Sequence, residues 1–393
     1  RMEITTPDLR FAFLNTAAYM FDEYVDFLVR IGDVTGALMV TESSRAQSLE
    51  EGLNLGKTID PPSIARNNNA TILSYWLGRT RSLVWVITPS AVTVYPLPPD
   101  TKIEDAARLY REQLLGARGT PERGAAAATT LYTMLVPRVA FAKNARVMIV
   151  PDGQLNTLNF ETLMPRAGRY WIEDVVLREA PSLQLIARGA KSAAAPRSLL
   201  LVGDAPAVGA FPKLKHASVE MNKVAAKFAD HKILREENAT PGNYLLAARE
   251  KFDVQHFVAH GTASSLRPLD SAIILAAPDA GGSYRLLARD IMKQSLDARL
   301  VTISSCHGVG TRTYAGEGVV GLAWAFLKAG ADQVIAALWE VNDSATPELM
   351  ETMYGEIRKG RDPADALREA KLRLIRAHRK PLYWAPFVLY AGT

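Results

Sequence analysis

Apolar side chains near the start of the chain recur at helical spacing: Phe13, Ala17, Met20, Phe21, Tyr24, Leu28 and Val29 fall on one stripe. Gly32 stops that helix and Asp33 is placed to cap a second, in which Ala37, Leu38, Ala46, Leu49 and Leu53 continue the pattern. Two helices of this size cannot bury an apolar face alone. The segment 9–53 therefore reads either as the end of a helical repeat array or as a hairpin packed on a larger body. Pro61-Pro62 and the run Asn67-Asn68-Asn69 then punctuate a linker over about 54–70.

The texture changes after that linker. Short β-branched and aromatic runs at 71–77, 83–88 and 91–96, closed by Pro89 and Pro98-Pro99, predict a strand meander. Helical stretches follow at about 103–115 and 124–142, then a strand over Arg146–Val150 that ends at Pro151-Asp152-Gly153. From about 197 the pattern restarts, with strand-like runs at 198–202, 254–258, 272–276, 299–304, 333–338 and 386–390. Helical stretches at 217–228, 241–250, 318–329, 345–358 and 363–377 lie between them. Strands separated by helices of this length predict an α/β protein with a mostly parallel sheet covered on both faces. The natural division is 1–66 for the helical pair and linker, 67–195 for a first α/β lobe, and 196–393 for a second.

A length of 393 residues fits two to three domains, and 48% apolar with 22% charged residues excludes disordered and fibrous classes. The net charge of +5 is uneven: residues 1–66 hold six Lys and Arg against ten Asp and Glu, so they carry −4 and the remainder +9. That asymmetry suggests electrostatic docking of the helical segment. It is no nucleic-acid patch, because the basic residues after 66 are scattered among acids. The single cysteine excludes a disulfide framework and any multi-cysteine zinc site, and fits a reducing, cytoplasmic compartment. No signal peptide is visible, and the longest apolar stretch, 318–339, is cut by Lys328 and Asp332, so no membrane span is expected. A start at Arg1 rather than Met reads as a fragment of a longer protein.

Several near-motifs fail on physical grounds. Gly52-Leu-Asn-Leu-Gly56-Lys57-Thr58 has one residue too few between its glycines for a phosphate loop, and it follows a helix. Gly316-Glu-Gly318-Val-Val-Gly321 matches the dinucleotide pattern, but about ten residues separate it from the preceding strand where a tight turn is needed. His256 and His260 are four apart on a strand-like run, which sets them about 13 Å apart and too far for one metal. No metal or organic cofactor is therefore expected.

What remains is His260, at the end of the run Val254–Ala259, and Cys306, at the end of Leu300–Ser305. In a parallel sheet, ligands and chemistry collect beyond the carboxyl ends of the strands, so both side chains reach one rim. A thiolate attacks carbonyl carbon, and an imidazole beside it shuttles a proton to the leaving amine. The N–H groups of Gly261 and Cys306 are the candidate oxyanion donors. A buried structural cysteine is the plain alternative, but it leaves the polar, glycine-rich surround Ser-Ser-Cys-His-Gly-Val-Gly unexplained.

These residues, with others, make the sequence similar to the CHAT domain, the caspase-like cysteine peptidase module often found behind tetratricopeptide repeats and related to caspases and separase. The resemblance covers nearly all of 70–393. It rests on Ile72–Gly78 with Trp85, Val150-Pro-Asp-Gly with Asn159-Phe-Glu-Thr-Leu163, Ala239-Thr240, His260-Gly261, and Ser305-Cys306. It continues through Gly316-Glu-Gly318 with Gly321-Leu-Ala, Ala337-Leu-Trp339-Glu-Val-Asn-Asp343, and Tyr383-Trp-Ala-Pro-Phe387. The segment 9–53, ending in Ser44-Arg-Ala-Gln-Ser-Leu, looks like the last helices before this domain in repeat-containing members. One departure is His307-Gly308-Val309 after the cysteine, where the family usually has an acidic residue followed by Thr-Gly.

The resemblance implies a non-catalytic caspase-like lobe over 67–195 and a catalytic one over 196–393. It implies a cysteine endopeptidase acting on a protein partner, gated through residues 1–66 by a regulatory protein or upstream repeats, as in bacterial defence systems. Leu338-Trp-Glu-Val-Asn-Asp343 also resembles separase, whose substrates carry a basic residue before the scissile bond. Asp343, with Glu340 and Glu317 as fallbacks, is then the candidate acid for an Arg or Lys side chain. The alternative for Asp343 is a cap on the helix from about 345. The rival function is a non-proteolytic scaffold or binding module of the same fold.

Overall fold

The computed structural model describes residues 21–50, 59–115, 121–187, 195–264, 267–278, 281–305, 313–314, 318–319, 321–339, 341, 344–378 and 380–391. The chain divides into two compact units, Arg1–Gly189 with Thr313–Val319, and Ala190–Arg312 with Val320–Thr393.

In the first unit, helix α1 (residues 21–30) turns into α2 (Val34–Glu50) through Gly32, whose φ of +84° is the left-handed region that glycine enters without strain. Asp33 caps α2, its carboxylate accepting the Gly36 N–H at 2.8 Å. After α3 (Pro61–Asn67) come β1 (Ala70–Trp76), β2 (Ser82–Ile87), β3 (Val92–Leu97), α4 (Asp100–Leu115), α5 (Pro121–Leu135), β4 (Ala145–Val150), β5 (Val175–Glu179) and the single turn α6 (Leu183–Ile186). The sheet order is β3-β2-β1-β4-β5, antiparallel through the expected meander and parallel from β1 to β5. The helix expected over 124–142 ends at Leu135, ahead of Pro137, where a ring clash with the preceding turn stops it.

Helix α2 is fastened to this sheet by a buried ion pair. Arg45 donates to Glu42 at 2.8 Å, to the Ser74 hydroxyl at 2.9 Å, and to the Tyr75 carbonyl of β1. The other Glu42 oxygen accepts the Leu183 N–H at the start of α6, at 2.5 Å. Burial raises the Glu42 pKa, and Arg45 opposes that rise.

In the second unit the chain runs β6 (Ser198–Gly203), α7 (Ala217–Ala225), β7 (Asp230–Arg235), α8 (Pro241–Ala247), β8 (Val254–Val258), β9 (His260–Thr262), β10 (Ala272–Ile274), β11 (Arg285–Leu287), α9 (Ala288–Ile291) and β12 (Leu300–Ser304). A two-residue antiparallel ribbon, β13 (Thr313–Tyr314) with β14 (Gly318–Val319), falls within the first unit. Then follow α10 (Leu322–Lys328), β15 (Gln333–Ala337), α11 (Thr346–Arg358), α12 (Pro363–Ala377), α13 (Pro381–Trp384) and β16 (Phe387–Ala391). The order β16-β15-β12-β8-β6-β7 is parallel except for β16.

Successive side chains of β8 face opposite sides of this sheet. Phe257 packs on Tyr244 of α8 and Phe326 of α10, with ring centroids 5.0 and 5.4 Å apart, whereas His256 faces α7 and α11. Two expectations are corrected here. The run 272–276 is no member of the parallel sheet; its β10 is the middle strand of an antiparallel ribbon, β11-β10-β9. Helix α10 begins only at Leu322, with Gly321 in the N-cap position and Gly318-Val319 in β14.

Candidate active site

The carboxyl ends of β6, β8 and β12 define the rim in the second unit. Strand β8 pairs with β12 from Val254↔Leu300 to Val258↔Ser304, and the Ala259 N–H still donates to the Ser304 carbonyl at 3.4 Å. His260 follows directly. Its Nε2 lies 2.7 Å from the Pro212 carbonyl oxygen, and its ring packs on Phe211 with centroids 5.6 Å apart. A carbonyl oxygen only accepts, so Nε2 carries a proton and the neutral ring keeps its lone pair on Nδ1. Gly261 is buried and sits opposite Ile273 in the β9–β10 ladder.

His260 borders a small, partly open cleft that is also lined by Asp204, Val208, Phe211, Pro212 and Ile274. Asp204 follows β6 with φ +51°, a left-handed conformation that Asp tolerates better than most residues. Its carboxylate is buried, with Lys213 Nζ 3.3 Å from one oxygen and Arg235 Nε 3.9 Å from the other. Gly203 before it is required by close approach: a Cβ there would meet the Val258 carbonyl oxygen at 2.1 Å. Small size at 203 lets β6 and β8 bring Asp204 and His260 to one cleft.

One level below the rim, the buried polar groups form a chain. His256 Nε2 lies 2.9 Å from Glu220 Oε1, His256 Nδ1 lies 2.9 Å from the Tyr354 hydroxyl, and that hydroxyl lies 2.7 Å from Thr302 Oγ1. Burial holds the Tyr354 phenol far above its ordinary pKa, so it stays protonated.

Of the residues expected to carry function, His260 and Gly261 stand as described. Cys306, Glu317, Glu340 and Asp343 lie outside the described residues, as does His307. The N-cap position of α11 is Ala345, with no side-chain cap bond. Sequence reasoning missed Asp204, although a Gly-Asp pair directly after a strand is a legible rim signal. It also missed Pro212, whose contribution is a backbone carbonyl with no side-chain signature, and Glu220, which supplies His256 with a carboxylate from helix α7. Among the described residues, no group of three or more His, Cys, Asp or Glu is placed to hold a metal ion. No described helix is long and apolar enough to cross a membrane.

The mixed α/β architecture, with its mostly parallel sheet and short N-terminal helices, is that of a caspase-like fold. The family model described as the CHAT domain matches residues 125–392, more than half of the chain, and the chain belongs to that family. It is similar to tetratricopeptide repeat protein 28 of Mus musculus, 34% identical over 106 residues, which make up 26% of this chain and 4% of that protein. The Homo sapiens protein of the same name is 32% identical over 106 residues. The chain thus spans about 4% of the length of these curated relatives. Among solved structures, a chain of the Saccharomyces cerevisiae separase–securin complex matches with a TM-score of 0.54 at 11% identity, over 90% of this chain and 31% of that one. A second structure of that complex gives 0.52 at 11% identity over the same shares. What is shared at that identity is the fold.

Proposed function

We propose that the chain is a cysteine endopeptidase with a Cys306/His260 dyad. One observation carries the reading. Partners in the β8–β12 ladder differ by 46 in number, from Val254↔Leu300 onward, and His260 and Cys306 are separated by the same interval. Neighbouring strands lie about 4.8 Å apart, a spacing across which thiol and imidazole reach one another. His260 Nδ1 takes the Cys306 proton, the sulfur attacks the scissile carbonyl carbon, and the imidazolium returns the proton to the leaving amine. Water then hydrolyses the thioester. The Pro212 carbonyl fixes the ring and, once Nδ1 is protonated, stabilises the imidazolium through a charge-assisted hydrogen bond. Gly261 and Cys306 N–H groups serve the oxyanion.

The substrate is a protein with Arg or Lys before the scissile bond. Asp343 is the proposed partner for that side chain, with Glu340 and Glu317 in reserve and Asp204 as the carboxylate that lines the His260 cleft. Residues 1–66 receive a regulatory partner or upstream repeats. The test uses peptidyl probes with a cysteine-directed warhead and either a basic or an acidic residue next to it. The chain has one cysteine, so all labelling reports residue 306. Basic probes should label it, Cys306→Ala should abolish labelling, and His260→Ala should slow it about 10²–10⁴-fold. Labelling of His260→Ala at the parent rate overturns the dyad; a preference for acidic probes overturns only the basic pocket.

A further inference from the structure

His256 and Thr302 are register partners, four residues before His260 and Cys306 respectively. Both are buried in strands that are otherwise largely apolar, and both bond to one hydroxyl, that of Tyr354 on α11. Glu220 on α7 holds the far side of the His256 ring at 2.9 Å. The two helices are themselves tied together, Lys223 and Lys227 of the α7 region meeting Glu351 of α11 at 2.8 and 3.1 Å. With the His256 ring neutral, these four groups satisfy one another in a single direction. Thr302 donates to the Tyr354 oxygen, Tyr354 donates to His256 Nδ1, and His256 Nε2–H donates to the Glu220 carboxylate. An apolar quartet of the same volume would avoid the desolvation cost of burying these groups. What the polar chain adds is a fixed separation and orientation of two adjacent strands against a common platform.

We propose that Tyr354 is a positioning residue: by bridging His256 and Thr302 it holds β8 and β12 in the geometry that aligns His260 with Cys306 at their ends. The proposal rests on the dyad reading above. A tyrosine at this level with no role in alignment would affect stability alone. A positioning role also moves the ionisation of the cysteine, because a thiolate next to an imidazolium titrates well below a free thiol's value of about 8.5.

The experiment measures the rate of iodoacetamide alkylation against pH in the full chain, which reads the single cysteine without any substrate, and thermal unfolding alongside it. Tyr354→Phe keeps the ring and removes the hydroxyl. The expected result is a reactivity profile displaced upward by about one pH unit, a tenfold loss of alkylation near pH 6.5, in a protein still cooperatively folded at the assay temperature. Thr302→Val should displace the profile in the same direction, and it carries the test if Tyr354→Phe does not fold. His260→Ala separates the two layers of the argument. If His260→Ala displaces the profile and both clamp variants leave it in place, the positioning role is overturned and the dyad stands. If His260→Ala leaves the profile in place, the dyad falls and the positioning proposal falls with it.

Discussion

In the first unit a buried carboxylate, Glu42, meets the guanidinium of Arg45 at 2.8 Å; in the second, Glu220 meets the imidazole of His256 at 2.9 Å. In the first pair the guanidinium never loses its proton, and the pair's spare donors and acceptor go to backbone and hydroxyl groups of β1 and α6. It works as a bolt that holds α2 on a sheet. The second pair contains a base that is stable when neutral, so its proton positions can be ordered along a chain of hydrogen bonds. That chain spans the two strands that lead to the rim. The same desolvation cost is met in both units, but one result is attachment and the other is alignment.

The largest effect is expected at the bolt. Arg45→Ala leaves the Glu42 carboxylate buried without its cation and should destabilise the first unit by about 3–5 kcal/mol. Hydrogen exchange should show the loss first in the amides of α2 and β1, while the strands of the second unit keep their protection. Replacing both partners, Arg45→Met with Glu42→Leu, should restore most of the stability, since no lone charge remains. A cost below about 1 kcal/mol for Arg45→Ala would mean that apolar contacts, not this pair, hold the helix. The attachment is thus expected to resist salt, which screens exposed charges far more than buried ones. The uneven charge of residues 1–66 had pointed to a salt-sensitive contact instead.

The next effect falls on the spacing of the rim strands. Gly203→Ala puts a methyl group 2.1 Å from a backbone oxygen of β8 and cannot be relieved by a side-chain rotation. A cost of about 1–3 kcal/mol follows from overpacking, measured by thermal unfolding. Because Val258 lies two residues before His260, labelling of Cys306 by a peptidyl probe should fall as well. Stability lost without any change in labelling would separate the β6–β8 contact from the site.

Most strands of both units were legible because their β-branched runs are bounded by prolines, glycines and helical periodicity. Two were not. Strand β7, Asp-His-Lys-Ile-Leu-Arg, is an edge strand with Leu234 alone fully buried, so it lacks the apolar signal of its neighbours. Strand β5, Val-Val-Leu-Arg-Glu, is too short to stand out before the turn of α6. The run at 272–276 was legible as a strand but not as a member of a separate ribbon, since periodicity carries no information about pairing partners. His260 and Gly261 were found by the strand-end rule. The groups that hold and flank His260 come from the loop after β6, and Glu220 comes from α7. Those contacts are made by tertiary packing across 36 to 56 positions, a distance at which one sequence has no pattern to show.

The smallest effect sharpens the contrast from the side of α1. Burial, then the charges of Asp152 and Asp100, push the Asp22 carboxyl up to about 7, against the lowering influence of a Trp76 hydrogen bond and of Arg79. Asp152 is itself occupied, accepting the Leu77 N–H at 2.7 Å. A carboxyl that titrates at 3.8 when unfolded and near 7 when folded binds more protons in the native state between those values. Stability therefore falls as pH rises through that window and levels off above it. Asp22→Asn removes the titration while keeping the shape. Solvent reaches this half-buried group, so the stability gap between variant and parent should stay below about 1 kcal/mol, or roughly 2–4 °C in Tm. Unfolding scans from pH 5 to 8.5 should show the gap in favour of Asn widening up to about pH 7 and constant beyond. A gap that does not change with pH would mean that Asp22 is already ionised throughout and that its partial burial does not govern its protonation.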